Sequence, residues 1–147
     1  MGIDGHVDAV LKVNLDAFSS VASYVIDGMA RMLGPCGMMG VDLEDMRTAI
    51  TGGKRLLVGL GDGSGERGAA EAAQRALKSL AAPQASLTYA TGMFVIMGGE
   101  ALKLSETRSI LDIIRTQAGA ATHVYAGAYR DSRLDNSTRV ALLCTFQ

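Results

Sequence analysis

The chain has 147 residues, 48% apolar but only 5% aromatic and without Trp, enough for one domain whose core is Ala, Leu, Val, Ile and Met. Its 14 basic and 15 acidic residues leave a formal net charge of −1, which supplies no electrostatic footprint for nucleic acid or an anionic membrane. Cys36 and Cys144 lack metal-ligand spacing, no stretch approaches the roughly 18 apolar residues of a membrane span, and the N-terminus lacks a signal-peptide pattern, so a reduced, cytoplasmic protein is expected.

Residues 1–15 read as an N-terminal extension and residues 16–147 as the domain. Asp4, His6 and Asp8 alternate, but alternation gathers them only on a strand and no fourth ligand is in view, so a polar terminal turn is expected. Met1-Gly2 starts like a myristoylation site, yet His6 stands where that motif needs Ser or Thr. Asn14 or Asp16 caps a helix running to about Leu33, with Phe18, Val21, Ala22, Val25, Met29, Met32 and Leu33 as its apolar stripe. Gly34-Pro35 stops it. A glycine loop then leads into a short helix over 43–50 that ends at Gly52-Gly53.

Residues 54–60 predict a strand and the glycine run 59–65 a tight turn. A helix over 66–80 follows, its stripe of Ala69, Ala72, Ala73, Ala76, Leu77 and Leu80 small enough for close approach to a sheet. After Pro83, residues 93–97 form an apolar strand and Gly98-Gly99 a turn. Ser105 caps a third helix, with Ile110, Leu111, Ile114 and Ala118 on one face, closing at Gly119. Strands over 121–128 and 139–145 are joined by a polar loop, 130–138. The order predicts an α/β (α+β) two-layer sandwich, a four-stranded mixed sheet with helices mainly on one face.

Three features invite a chemical reading. The run 59–65 links a strand to a helix, where phosphates sit well, but it matches neither G-x-G-x-x-G nor G-x-x-x-x-G-K-[ST], has no lysine, and carries Asp62 and Glu66. Cys144 and His123 fall inside apolar strands, where side chains are packed rather than reactive. Asp42 and Asp45 open the short helix. As N-cap and third-position residue they satisfy backbone amides and the helix dipole. As exposed carboxylates at a helix start they are also able to orient a water. Spacing does not separate the two readings, and a carboxylate has lone pairs for both.

Three segments together resemble the C-terminal half of FtsZ, the bacterial tubulin-like cell-division GTPase, over nearly the whole span from Asp16 to Thr145. Gly37-Met38-Met39-Gly40-Val41-Asp42-Leu43-Glu44-Asp45 is similar to the family's synergy loop, G-x-x-N-x-D-x-x-D. Gly65-Glu66-Arg67-Gly68-Ala69-Ala70-Glu71-Ala72-Ala73 is similar to its G-E-x-R-A-x-E-A-A segment, with the arginine displaced by one place. Asp131, Leu134, Asp135, Arg139 and Val140 fall at the spacing of its final loop and strand.

The resemblance implies that Asp42 and Asp45 position the attacking water for GTP held by the next subunit of a filament. It implies an interface at Gly37, Met38, Met39, Gly40 and Val41 with an FtsZ-type partner. Gly40 replaces the family asparagine and offers no side chain. The phosphate signature G-G-G-T-G-[ST]-G is missing from the 147 residues, so the chain is not expected to be an autonomous GTPase. No cofactor or metal of its own is expected, and GTP is met only through a partner's site. Such a module would cap or modulate a filament rather than extend it. The tail that tethers FtsZ to membrane adaptors is also missing, and an isolated fragment and a free-standing domain both fit. The alternative is a homo-oligomeric α/β domain binding a small metabolite between subunits.

Overall fold

The computed structural model describes residues 11–12, 18–34, 37, 44, 55–80 and 84–146. In chain order the elements are β1 (Leu11–Lys12), α1 (Phe18–Leu33), β2 (Arg55–Ser64), α2 (Gly68–Ser79), a 3-10 turn (Gln84–Tyr89), β3 (Gly92–Gly99), α3 (Leu104–Arg115), β4 (His123–Arg130), a 3-10 turn (Ser132–Leu134) and β5 (Ser137–Phe146). The sheet order is β1-β2-β5-β3-β4. β2 and β3 both run antiparallel to β5, whereas β1 pairs parallel with β2 and β4 parallel with β3. This is the expected four-stranded mixed sheet, with two residues of the N-terminal stretch added at its β2 edge. Among the described residues no helix is long and apolar enough to cross a membrane.

The sheet is covered on both faces, which is why β3 and β5 read as unbroken apolar runs rather than alternating ones. Met93, Val95 and Met97 of β3 and Val140, Leu142 and Cys144 of β5 bury against α2 and α3. Phe94 and Ile96, with Ala141 and Leu143, point the other way into a smaller cluster that holds Val25 and Met32 of α1. The period of two in strand side chains thus splits one sequence run between two cores. Leu33, placed in the α1 stripe by spacing, is 45% exposed.

Several boundaries move, each for a nonlocal reason. The glycine run is not a turn: β2 continues through it to Ser64, paired residue for residue with β5 as far as Ser137. Gly59, Gly61 and Gly63 share the strand face beneath α2. A Cβ there would fall on the carbonyl oxygens of Ala76, Ala72 and Gly68 respectively. Glycine on the strand and alanine on the helix let the two backbones meet. Only Gly65, at φ +75°, takes the left-handed region and makes the turn. Gly98 likewise stays within β3, because the Tyr129 ring occupies the place of its missing side chain.

The third helix starts one residue before its expected cap. Lys103 holds the N-cap position in extended geometry, and its backbone N–H donates to Glu106 Oε1 at 2.8 Å, one half of a capping box, so Ser105 lies inside the helix. The helix ends at Arg115, short of Gly119. β4 spans His123–Arg130 rather than 121–128, and a short 3-10 turn fills much of the loop before β5. The short helix over 43–50 and the extension's boundary at residue 15 lie outside the described residues, apart from Glu44, which is helical and exposed.

Candidate functional site

The site is built at the C-terminal end of α1, where the chain turns into the loop singled out by sequence. Gly34 N–H donates to the Arg31 carbonyl at 3.3 Å, and Gly37 N–H donates to the Gly34 carbonyl at 3.0 Å. Gly37 then makes an antiparallel bridge with Tyr129, near the end of edge strand β4. A side chain at Gly37 would strike the Met32 carbonyl oxygen, so the close return of the chain onto its own helix requires glycine. Of the predicted site residues, Gly37 is placed in this way. Met38, Met39, Gly40, Val41, Asp42 and Asp45 lie outside the described residues.

Tyr129, the partner of Gly37, is wedged between helix and sheet. Beyond Gly98 beneath it, a Cβ on Gly28 of α1 would come 3.4 Å from its ring and 2.9 Å from Ile96. Burial pushes the Tyr129 phenol above its ordinary pKa. Two glycines, on α1 and on β3, therefore make the slot that seats the ring.

Two residues beyond Tyr129 lies a charged cluster that spacing did not single out as a site. Asp131 is 4% exposed, and its backbone N–H donates to the Gly99 carbonyl at 3.1 Å. Its carboxylate accepts from the Arg133 backbone N–H at 3.0 Å, from Nε at 2.9 Å and from Nη2 at 2.8 Å. Arg31 of α1 brings Nε to 3.7 Å of the same carboxylate while donating to Asp27 Oδ2 at 2.9 Å. Asp27 closes the ring by accepting from Arg133 Nη2 at 3.2 Å. The Arg133 hydrogen bonds hold the Asp131 carboxyl at about 2, against burial, which alone would raise it. The Asp27–Arg31 pair was legible as an i,i+4 spacing; its link to Arg133, 106 residues on, was not.

Beside this cluster, Arg139 of β5 faces Asp62 of β2, with Nε 2.9 Å from Oδ1, and lays its guanidinium 3.8 Å from the centre of the Tyr24 ring on α1. The acidic residue that argued against a phosphate in the glycine run thus has a cross-strand partner. That run is strand rather than anion cradle: it pairs with β5 residue for residue as far as Ser64, and the Leu60 N–H, within it, donates to Ser79 Oγ at 2.7 Å. Cys144 is fully buried against α2 and α3, and burial pushes its thiol up to about 12, so it supplies no thiolate for a Cys–His pair. Chemically, the described part of the site is a rigid anchor for a loop, with its charges paired internally.

Comparison with known proteins agrees with this architecture. The family model described as "FtsZ family, C-terminal domain" matches residues 53–146, from β2 to the end of β5. The chain is 33% identical over 135 residues to the cell division protein FtsZ of Buchnera aphidicola subsp. Schizaphis graminum, covering 89% of this chain and 35% of that protein. It is 27% identical over 136 residues to cell division protein FtsZ 1 of Methanocaldococcus jannaschii, covering 92% and 37%. Matches of that length necessarily take in residues 37–45. A solved mutant FtsZ of M. jannaschii superposes with a TM-score of 0.78 at 25% identity, over 95% of this chain and 47% of that one. CetZ2 from Haloferax volcanii shares the fold, with a TM-score of 0.70 at 17% identity. The chain spans about 35–37% of the length of these curated relatives. It belongs to the FtsZ family, within that family's C-terminal domain.

Proposed function

We propose that this chain serves in cell division as an FtsZ-type C-terminal module that docks through residues 37–45 onto the GTP-bearing face of an FtsZ-type partner in the cytoplasm. The single observation that carries this reading is the match of the FtsZ C-terminal domain model to residues 53–146. Curated relatives are named cell division proteins, and one related solved structure is an FtsZ dimer from M. jannaschii. In this reading Met38, Met39, Gly40 and Val41 meet the partner together with Gly37. Asp42 and Asp45 orient water toward a nucleotide that the partner holds, so that GTP is met in trans and no cofactor of the chain's own is used. The 147-residue chain then caps or modulates a filament. Family membership favours this over a metabolite-binding homo-oligomer.

The experiment is to titrate the chain into polymerising FtsZ while following sedimentation and phosphate release. Pelleted polymer falls as the chain is added, and phosphate release per polymer changes. If neither responds at saturating chain, docking on the GTP-bearing face is ruled out.

A further inference from the structure

We infer that Asp131 is a positioning residue, which locks the last turn of α1, Gly34 and Gly37 in place, Gly37 being the first residue of the candidate interface. The inference stands on described geometry; its consequence for a partner rests on the docking reading above. Arg31 and Gly37 are each fastened to one short stretch of chain, residues 129–131. At one end Gly37 bridges Tyr129 through the backbone. At the other, Arg31 lies against Asp131, two residues further along, and shares Asp27 with Arg133.

The two attachments differ in kind. A single backbone bridge at an edge strand is weak and frays readily. A carboxylate that is 4% exposed and accepts from both Nε and Nη2 of Arg133 is directional, and losing it removes the acceptor that orients that guanidinium. The network also ties together elements far apart in sequence, since Asp27 of α1 and Arg133 of the 132–134 turn are 106 residues apart. Asp131 therefore restrains α1 from sliding along the sheet, and any such slide would move Gly34 and Gly37 with it.

The test uses amide hydrogen exchange on the whole 147-residue chain. Gly34 and Gly37 are the reporters, because each donates a defined backbone bond. Asp131→Asn should speed exchange at both by about tenfold, while amides of β3 and β5 keep their protection. Arg133→Gln removes the guanidinium bonds to Asp131 and Asp27 from a side chain 63% exposed, leaving the backbone N–H bond to Asp131, and so reads the network even if Asp131→Asn does not fold. Glu71→Gln, which breaks the exposed Glu71–Arg75 pair on α2, is the control and should leave both glycines unchanged. Unchanged exchange at Gly34 and Gly37 in Arg133→Gln, or equal acceleration in the Glu71→Gln control, overturns the inference. Should the glycines loosen while the wild-type chain leaves FtsZ assembly untouched, the lock stands and the docking reading fails instead.

Discussion

Arg139 and Asp62 sit directly opposite on β5 and β2, and the guanidinium that pairs with Asp62 at 2.9 Å also covers the Tyr24 ring at 3.8 Å. One side chain thereby ties two strands to the helix on the face opposite α2 and α3. Because Asp62 is largely exposed, the ion pair itself contributes little, and the stacking supplies a comparable share. Arg139→Ala should lower stability by about 1 kcal/mol in denaturant unfolding, and Arg139→Lys should recover less than half of this, since lysine lacks the planar fork. A Lys variant as stable as wild type would show that charge alone matters here.

The glycine stripe under α2 predicts an unusual contrast between neighbouring positions. Gly61→Ala sets a methyl 2.5 Å from the Ala76 amide and onto the Ala72 carbonyl, so α2 must move; a loss of about 2–4 kcal/mol is expected. Gly65→Ala meets nothing within 4 Å and costs only the strain of φ +75°, about 1 kcal/mol. Thermal unfolding of the two variants checks the order. The reverse order would mean that α2 does not pack on β2 as described.

These glycines also show why part of the fold was legible and part was not. Met93 to Met97 reads as a strand, and the alanine stripe as a helix seeking close approach, because both signals are local. Gly59, Gly61 and Gly63 read as a turn because glycine usually marks one; what places them in a strand is the α2 backbone across from them. Ser105 is a good cap by type, yet the extended geometry at Lys103 and the reach of Glu106 decide where α3 begins. In the site, the motif drew attention to Gly37, and its remaining residues apart from Glu44 lie outside the described ones. The ring of Asp27, Arg31, Asp131 and Arg133 was not legible, since its closure depends on α1 lying beside the turn after β4.

Acid should weaken the fold through Asp131. Its carboxyl is held at about 2 rather than 3.8, first by the Arg133 side chain, then by the Arg133 backbone N–H and in smaller part by Arg31, with burial opposing. Asp27 shares Arg133 with it from α1, and Tyr129 lies on β4, which ends one residue before it. A depressed folded-state pKa means the contribution is complete above about pH 4 and is lost as pH falls toward 2; it amounts to roughly 2 kcal/mol. Unfolding free energies measured between these pH values should decline in wild type and stay flatter in Arg133→Gln. Parallel slopes in the two proteins would remove Asp131 as the source.

Cys144 should be silent to thiol reagents in the native state. Its thiol is fully buried and pushed up to about 12, so negligible thiolate exists at neutral pH and no reagent reaches it. Mass-resolved labelling should modify Cys144 only at the rate of global opening, with protection lost in denaturant. Rapid native labelling at this residue would contradict its place between β5 and the two helices.

The loop carboxylates yield the prediction that separates binding from catalysis. Asp45→Ala should abolish any stimulation of phosphate release from an FtsZ partner while leaving the effect on sedimentation intact. As a lost helix-start interaction it should cost ~1 kcal/mol or less in stability. Gly40→Asn restores the side chain that the family motif carries and should raise phosphate release if Asp42 and Asp45 already hold a water. Should Asp45→Ala weaken sedimentation effects and phosphate release in the same proportion, the carboxylate acts in docking rather than in the chemical step, and the loop functions only as an interface.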